Sequence, residues 1–198
     1  MQPLGGTLIM EFPTGTFTIS NENGDFKIRT TREGIGARAG HDLTIRVTRW
    51  EAVTRSEGAP PEVTAEVDAN SLQILEGTGG VKPLTDGDRA DIKSDLQQKI
   101  LETDRYPRIA FQARQWQLLS EDANHIRATL SGELELRGKR SPLELEVDLQ
   151  RVNGATHVKA TGAVVQSRWG IKPYTAFLGA LKVADPIQVE VEATVADT

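Results

Sequence analysis

The chain has 198 residues, with 23 Lys and Arg, 28 Asp and Glu, three His and no Cys, for a net charge of −5. That length suits one domain able to bury a core without covalent staples. The missing Cys removes disulfides, thiolate metal sites and Cys nucleophiles, and a mildly acidic, mixed-sign chain lacks the clustered cations that neutralise phosphate, so no nucleic-acid partner is expected.

Residues 1–14 read as an N-terminal extension ahead of a single domain over 15–198. The first cation is Lys27, and Pro3, Gly5, Gly6 and Glu11 break up the apolar run that a secretion signal needs. No window approaches the roughly 18 apolar residues of a membrane helix. The expectation is a chain without a membrane span, located in the cytoplasm.

From there, alternation of apolar and polar residues dominates. Leu43, Ile45 and Val47 share one face, as do Val63, Ala65 and Val67. The pattern then breaks. In LTDGDRADIKSDLQQKILETDRYP, Ile92, Leu96 and Ile100 recur at helical spacing, Thr85 and Asp88 form a capping box, and Tyr106-Pro107 is expected to stop the helix. This segment reads as a lid or plug across one opening, with Gly77, Gly79 and Gly80 as a flexible loop before it.

Alternation returns at Ile109, Phe111 and Ala113, then shifts phase to Trp116 and Leu118. Such a slip needs an extra residue, so a β-bulge is expected near Arg114–Gln115. Ile126 to Leu136, Leu143 to Leu149, Val158 to Val164 and Ile187 to Val195 each keep one apolar face. Asn23-Gly24, Glu57-Gly58, Asp122-Ala123-Asn124, Gly138-Lys139 and Asn153-Gly154 mark the turns. Strands with one apolar face build antiparallel sheet, and long, twisted, consecutive ones are best satisfied by closing into a barrel.

Motifs for chemistry are few. His41-Asp42 is a candidate headgroup or catalytic pair, but neighbours on a strand point to opposite faces and cannot form a dyad there. His125 and His157 sit beside turns, and no His spacing suits a metal. There is no Gly-x-Ser-x-Gly elbow, the run from Gly77 to Lys82 lacks a phosphate-loop ending, and Glu133, Glu135, Glu144 and Glu146 belong to a solvated face. The aromatic stretch QSRWGIKPYTAFLGALK either closes the barrel base or forms a cavity rim, with Trp169 and Tyr174 offering polar tips. Small inward residues, notably Gly132 and Gly162, either leave room for a cavity or bend the strands.

The order of these pieces resembles the YceI-like family of lipid- or polyisoprenoid-binding proteins. Tyr106-Pro107-Arg108-Ile109-Ala110-Phe111 is similar to the family's Tyr-Pro-x-Ile-x-Phe strand start, and Gly132 to Gly138 to its Gly-x-Leu-x-Leu-x-Gly arm, with Pro142 following. Ser167-Arg168-Trp169-Gly170 resembles a signature near the family's end. RADIKSDL resembles its Arg-Asp-x-x-Leu segment, with Ala90 in place of the Asp. The likeness runs from about Gly15 to Val195. The helix region is longer than usual in the family, and the turn Gly138-Lys139-Arg140-Ser141-Pro142 departs from its pattern.

The resemblance implies an all-β fold, an eight-stranded, lipocalin-like antiparallel barrel with one inserted helix around an apolar tunnel. It also implies an isoprenoid quinone or related amphiphile as ligand and not as cofactor, and a homodimer. The expected role is non-enzymatic binding, storage or transport of a polyisoprenoid or other long-chain amphiphile. The rivals are an enzyme using His41, Asp42 or carboxylates near the lid, and a filled barrel acting as an interaction module. By face, the expected ligand-lining set is Ile45, Val47, Ile109, Phe111, Leu130, Leu134, Leu145, Val147, Val164, Trp169, Phe177, Ile187 and Val189, with His41 and Tyr174 as headgroup candidates. No catalytic residue and no metal ligand is assigned.

Overall fold

A computed structural model describes residues 15–56 and 61–196. The extension 1–14 and the turn at Glu57-Gly58 lie outside them. The strands are β1 (Gly15–Ser20), β2 (Gly24–Arg29), β3 (Arg32–Glu33), β4 (His41–Val47), β5 (Trp50–Ser56), β6 (Glu62–Asp68) and β7 (Leu72–Gly79), then β8 (Arg108–Glu121), β9 (His125–Leu136), β10 (Lys139–Val152), β11 (Ala155–Val165), β12 (Thr175–Ala176), β13 (Leu181–Val183) and β14 (Pro186–Ala196). One helix, α1 (Asp86–Asp95), continues as a π turn over Leu96–Leu101.

The main sheet is antiparallel throughout and orders its strands β1-β5-β6-β8-β9-β10-β11-β14-β2-β4-β7. Its eleven members reduce to eight staves, because three pairs are halves of one bent strand. β4 runs into β5 across Thr48-Arg49 and β6 into β7 across Ala69 to Ser71, and the two halves pair at both levels, His41 with Gly79 and Trp50 with Val67. β1 and β2 likewise both lie along this hairpin. Each stave then pairs with the next, and β14 returns to β2 with Val189 opposite Ile28, which closes the barrel.

Local chemistry explains the connections. Arg137-Gly138 and Asn153-Gly154 each carry two successive positive φ angles, the type I′ geometry whose twist matches the flanking strands. The first turn thus sits one residue earlier than Gly138-Lys139. The phase slip in β8 is a bulge: Ala113 faces Gly132 and Gln115 faces Ser131, leaving Arg114 as the extra residue. A second irregularity falls between Leu118 and Ser120.

The capping box is present, with Thr85 Oγ1 accepting from the Asp88 amide and the Asp88 carboxylate accepting from the Thr85 amide. The helix does not run to Tyr106-Pro107. It ends at Leu101 because Glu102 turns into the left-handed region (φ 50°). Gly77 and Gly79 also differ from the flexible loop expected: both are paired residues of β7.

Two clusters fill the interior. One gathers Phe111, Ile126, Leu130, Leu134, Val147, Val164 and Trp169; the other gathers Ile45, Val47, Trp50, Leu72 and Ile74. Gly132 and Gly162 hollow out nothing. A Cβ at Gly132 would strike the Gln112 carbonyl and the Phe111 ring, and one at Gly162 would strike Leu145 and the Glu144 carbonyl. These glycines permit close approach of neighbouring strands.

On the outer wall, Arg29 and Lys159 flank Glu190 at 3.0 and 3.1 Å, and Lys159 also meets Glu192 at 2.7 Å. Hydrogen bonding from Arg29 lowers the Glu190 carboxyl, Lys27 lowers that of Asp25, and Glu192 raises the Lys159 ammonium. On acidification the unfolded chain therefore binds protons before these folded carboxylates do. Their contribution is complete above the ordinary values of 4.5 and 3.8 and is lost as pH falls through the lowered folded ones. The Lys159 contribution is complete below 10.5 and is lost as pH rises through its raised value. The urea midpoint should fall below about pH 4 and again above about pH 10.5. A midpoint constant down to about pH 2 would contradict these pairings.

Candidate functional site: an apolar cavity beneath the helix

β7 pairs with β4 and β8 with β6, so the wall parts where β7 and β8 diverge. The helix covers this parting. Its Ile92 and Leu96 pack with the second core cluster, Ile100 with the first, and Leu101 with both. Beneath it lies a cavity of about 410 Å³. Strand residues Ile28, Leu43, Ile45 and Leu72 form one wall, Ile92, Leu96, Ile100 and Leu101 the roof, and Ile171, Phe177, Leu181 and Ile187 the side toward the chain's end.

Polar groups gather on the same lining: Arg32 of β3, His41 of β4, Lys182 of β13 and Tyr174 just before β12, and Asp88, Asp91 and Asp95 along the helix. Several are held firmly. The Arg32 guanidinium donates to the carbonyls of Gly40 (3.0 Å) and Thr78 (2.8 Å), while its amide donates to the Asp42 carboxylate (2.7 Å). Gly79 makes this seat, because a Cβ there would overlap the guanidinium. His41 Nε2 lies 2.8 Å from the Lys82 carbonyl. A carbonyl only accepts, so that nitrogen carries the proton and Nδ1 is left as an acceptor in the neutral ring. Asp88 is held below the usual carboxylate range, first by the Thr85 amide and hydroxyl and further by the Lys82 and His41 charges. Gln166 is buried on the same lining and donates to the carbonyls of Ala184 and Asp185.

Of the residues expected to line a ligand, Ile45, Phe177 and Ile187 face this cavity, as do His41 and Tyr174. Val47, Phe111, Leu130, Leu134, Val147, Val164 and Trp169 are buried in the two clusters, and Ile109, Leu145 and Val189 pack on the first. They face one another and not the cavity, because close-packed side chains fill that part of the barrel. Trp169 is 2% exposed and donates from Nε1 to the Leu134 carbonyl at 2.9 Å, closing the core rather than forming a rim. The aromatic stretch thus divides: Trp169 seals the core, while Gln166, Ile171, Tyr174, Phe177 and Leu181 line the cavity.

Asp42 does not form a dyad with His41; it holds the Arg32 amide. His125 pairs with Asp148 at 2.9 Å and His157 with Thr194 at 3.1 Å. No cluster of metal-ligating side chains occurs among the described residues, and none of their helices is long and apolar enough to cross a membrane. The helix spacing of Ile92, Leu96 and Ile100 was the available signal for the roof. Arg32 and Gly79 are far apart in sequence and gave none.

The model of the YceI-like domain matches residues 26–195. The chain belongs to the YceI-like family. No curated protein matches the sequence. Among solved structures, this YceI-like chain is similar to BcnA of Burkholderia cenocepacia, with a TM-score of 0.64, 12% identity and coverage of 87% of this chain and 96% of that one. It is also similar to a polyisoprenoid binding domain from Saccharophagus degradans implicated in plant cell wall breakdown, with a TM-score of 0.59, 10% identity and coverage of 93% and 99%. A YceI protein of Campylobacter jejuni gives a TM-score of 0.58, 13% identity and coverage of 78% and 84%. At these identities the likeness establishes the YceI-like, lipocalin-like fold.

Proposed function

We propose that this protein binds a polyisoprenoid or other long-chain amphiphile without catalysis, as a carrier or store. The observation that carries this reading is the cavity of about 410 Å³, apolar along its walls with charged and hydroxyl groups on the same lining. An apolar chain would lie against Ile45, Leu72, Leu96 and Ile187, each buried CH₂ contributing about 0.8 kcal/mol. His41 and Tyr174 would orient the polar head, with Arg32 and Lys182 beside them. The structure named for polyisoprenoid binding in Saccharophagus degradans supports the ligand class. Against an enzyme stands the local chemistry: the Nε2 proton of His41 is spent on a carbonyl, and Asp42 is turned to the backbone of Arg32.

Mass spectrometry of an organic extract of protein purified from its own host is expected to show one long-chain amphiphile per chain. Stripped protein should then take up a fluorescent fatty-acyl or isoprenoid probe. An extract without lipid, together with no probe uptake, would refute the reading.

A further inference from the structure

We propose that the rim of the cavity docks on an anionic lipid bilayer. The proposal deepens the carrier reading and rests on it for the cargo alone. Three loops meet at this end of the barrel. Gly36 donates to the Ala180 carbonyl at 2.9 Å, β13 pairs with β3 through Lys182 and Glu33, and Gly80 lies against the His41 ring.

Each loop holds a large apolar side chain out in solvent: Ile35 is 98% exposed, Val81 85% and Phe177 68%, and Leu178 beside Phe177 is fully exposed. Scattered single apolar residues need no explanation, but several on converging tips around one opening do. The backbone adds an independent sign. Phe177 and Leu178 both take positive φ, at 51° and 54°, a conformation costly for bulky side chains, where Phe177 borders the cavity mouth and Leu178 beside it stands in solvent.

Charge distinguishes the occupant. The exposed charged residues of segments 32–39, 80–84 and 170–183 are the cations Arg38, Lys82, Lys172 and Lys182, against one acid, Glu33. The chain as a whole is acidic at −5. The helix across the opening compensates itself in part, Arg89 meeting Asp86 and Lys99 meeting Asp95. Apolar tips with cations at their shoulders match the interface of an anionic bilayer, the apolar part entering the acyl boundary and the cations meeting headgroups. An amphiphile could then pass between bilayer and cavity without crossing water.

The test is sedimentation of the full chain with phosphatidylglycerol–phosphatidylcholine vesicles. The variant combines Leu178→Asn, Ile35→Ser and Val81→Ser, none of which lines the cavity, and Asn tolerates the left-handed backbone. Wild type should bind these vesicles, bind pure phosphatidylcholine more weakly, and lose affinity near 1 M salt, where screening acts within about 3 Å. The variant should bind about tenfold more weakly or worse, a change of about 1.4 kcal/mol, while taking up a fluorescent fatty-acyl probe from water as wild type does. Wild type that ignores anionic vesicles, or a variant that binds them equally, overturns the proposal. So does a wild-type dimer that the variant splits without any vesicle binding, which would assign the rim to a second copy. Failure of both proteins to take up the probe strikes the carrier reading, and sedimentation still decides docking.

Discussion

Trp169→Ala is expected to lower the free energy of unfolding by about 3–5 kcal/mol, among the largest losses any single substitution in this chain would give. Two costs combine. The ring is 2% exposed within the larger core cluster, so its removal leaves a cavity that neighbouring strands are too constrained to close. The Leu134 carbonyl also loses the Nε1 donor that satisfies it. Trp169→Phe separates the two, since it keeps most of the ring and abandons the hydrogen bond, at about 1–3 kcal/mol. Urea titrations check both, with an unchanged slope showing that the loss is in stability and not in the extent of unfolding. A loss below about 1 kcal/mol for the alanine variant would mean that this end of the barrel is not sealed by Trp169.

Leu96→Trp should have the largest effect on ligand. Leu96 is half-buried in the cavity roof, where the π turn begins, so a larger ring projects into the space without disturbing the strand ladders. Excluding only two methylenes of a bound chain would cost about 1.6 kcal/mol, more than tenfold in affinity. Titration with a fluorescent acyl probe measures it. Leu118→Trp, on an exposed stretch of β8, is the matched control and should bind as wild type. Equal affinity for all three would place the ligand elsewhere in the barrel.

The barrel was legible in the sequence because strand periodicity depends on little else. Alternation in β9, β10 and β14 assigns faces residue by residue, and the phase slip between Ala113 and Trp116 located a bulge. Bent strands were not legible, since β4 and β5 carry no turn residues where they change direction at Thr48-Arg49. The site was harder. Alternation says which residues point inward but not how far along the barrel the packing stops and the cavity begins. That boundary is set by the large rings of Phe111 and Trp169 filling one part of the interior, and by the roof over the part beyond them. Small inward residues suggested space at Gly132 and Gly162, yet close approach of the neighbouring strands fills it. Arg32 on Gly79 and Gly80 against His41 are contacts between separate loops, which no local pattern encodes.

Closure of the barrel joins β2 to β14, strands far apart in sequence. Gly24 faces Ala193 and Arg29 faces Gln188. During synthesis β2 therefore waits with one edge unpaired until β14 has emerged, and the loop it must close spans most of the barrel. Such pairing is slow to form and exposes a strand edge to other chains meanwhile. Folding speed and yield in the cell should consequently depend on how quickly β14 arrives and on what shields β2 until then.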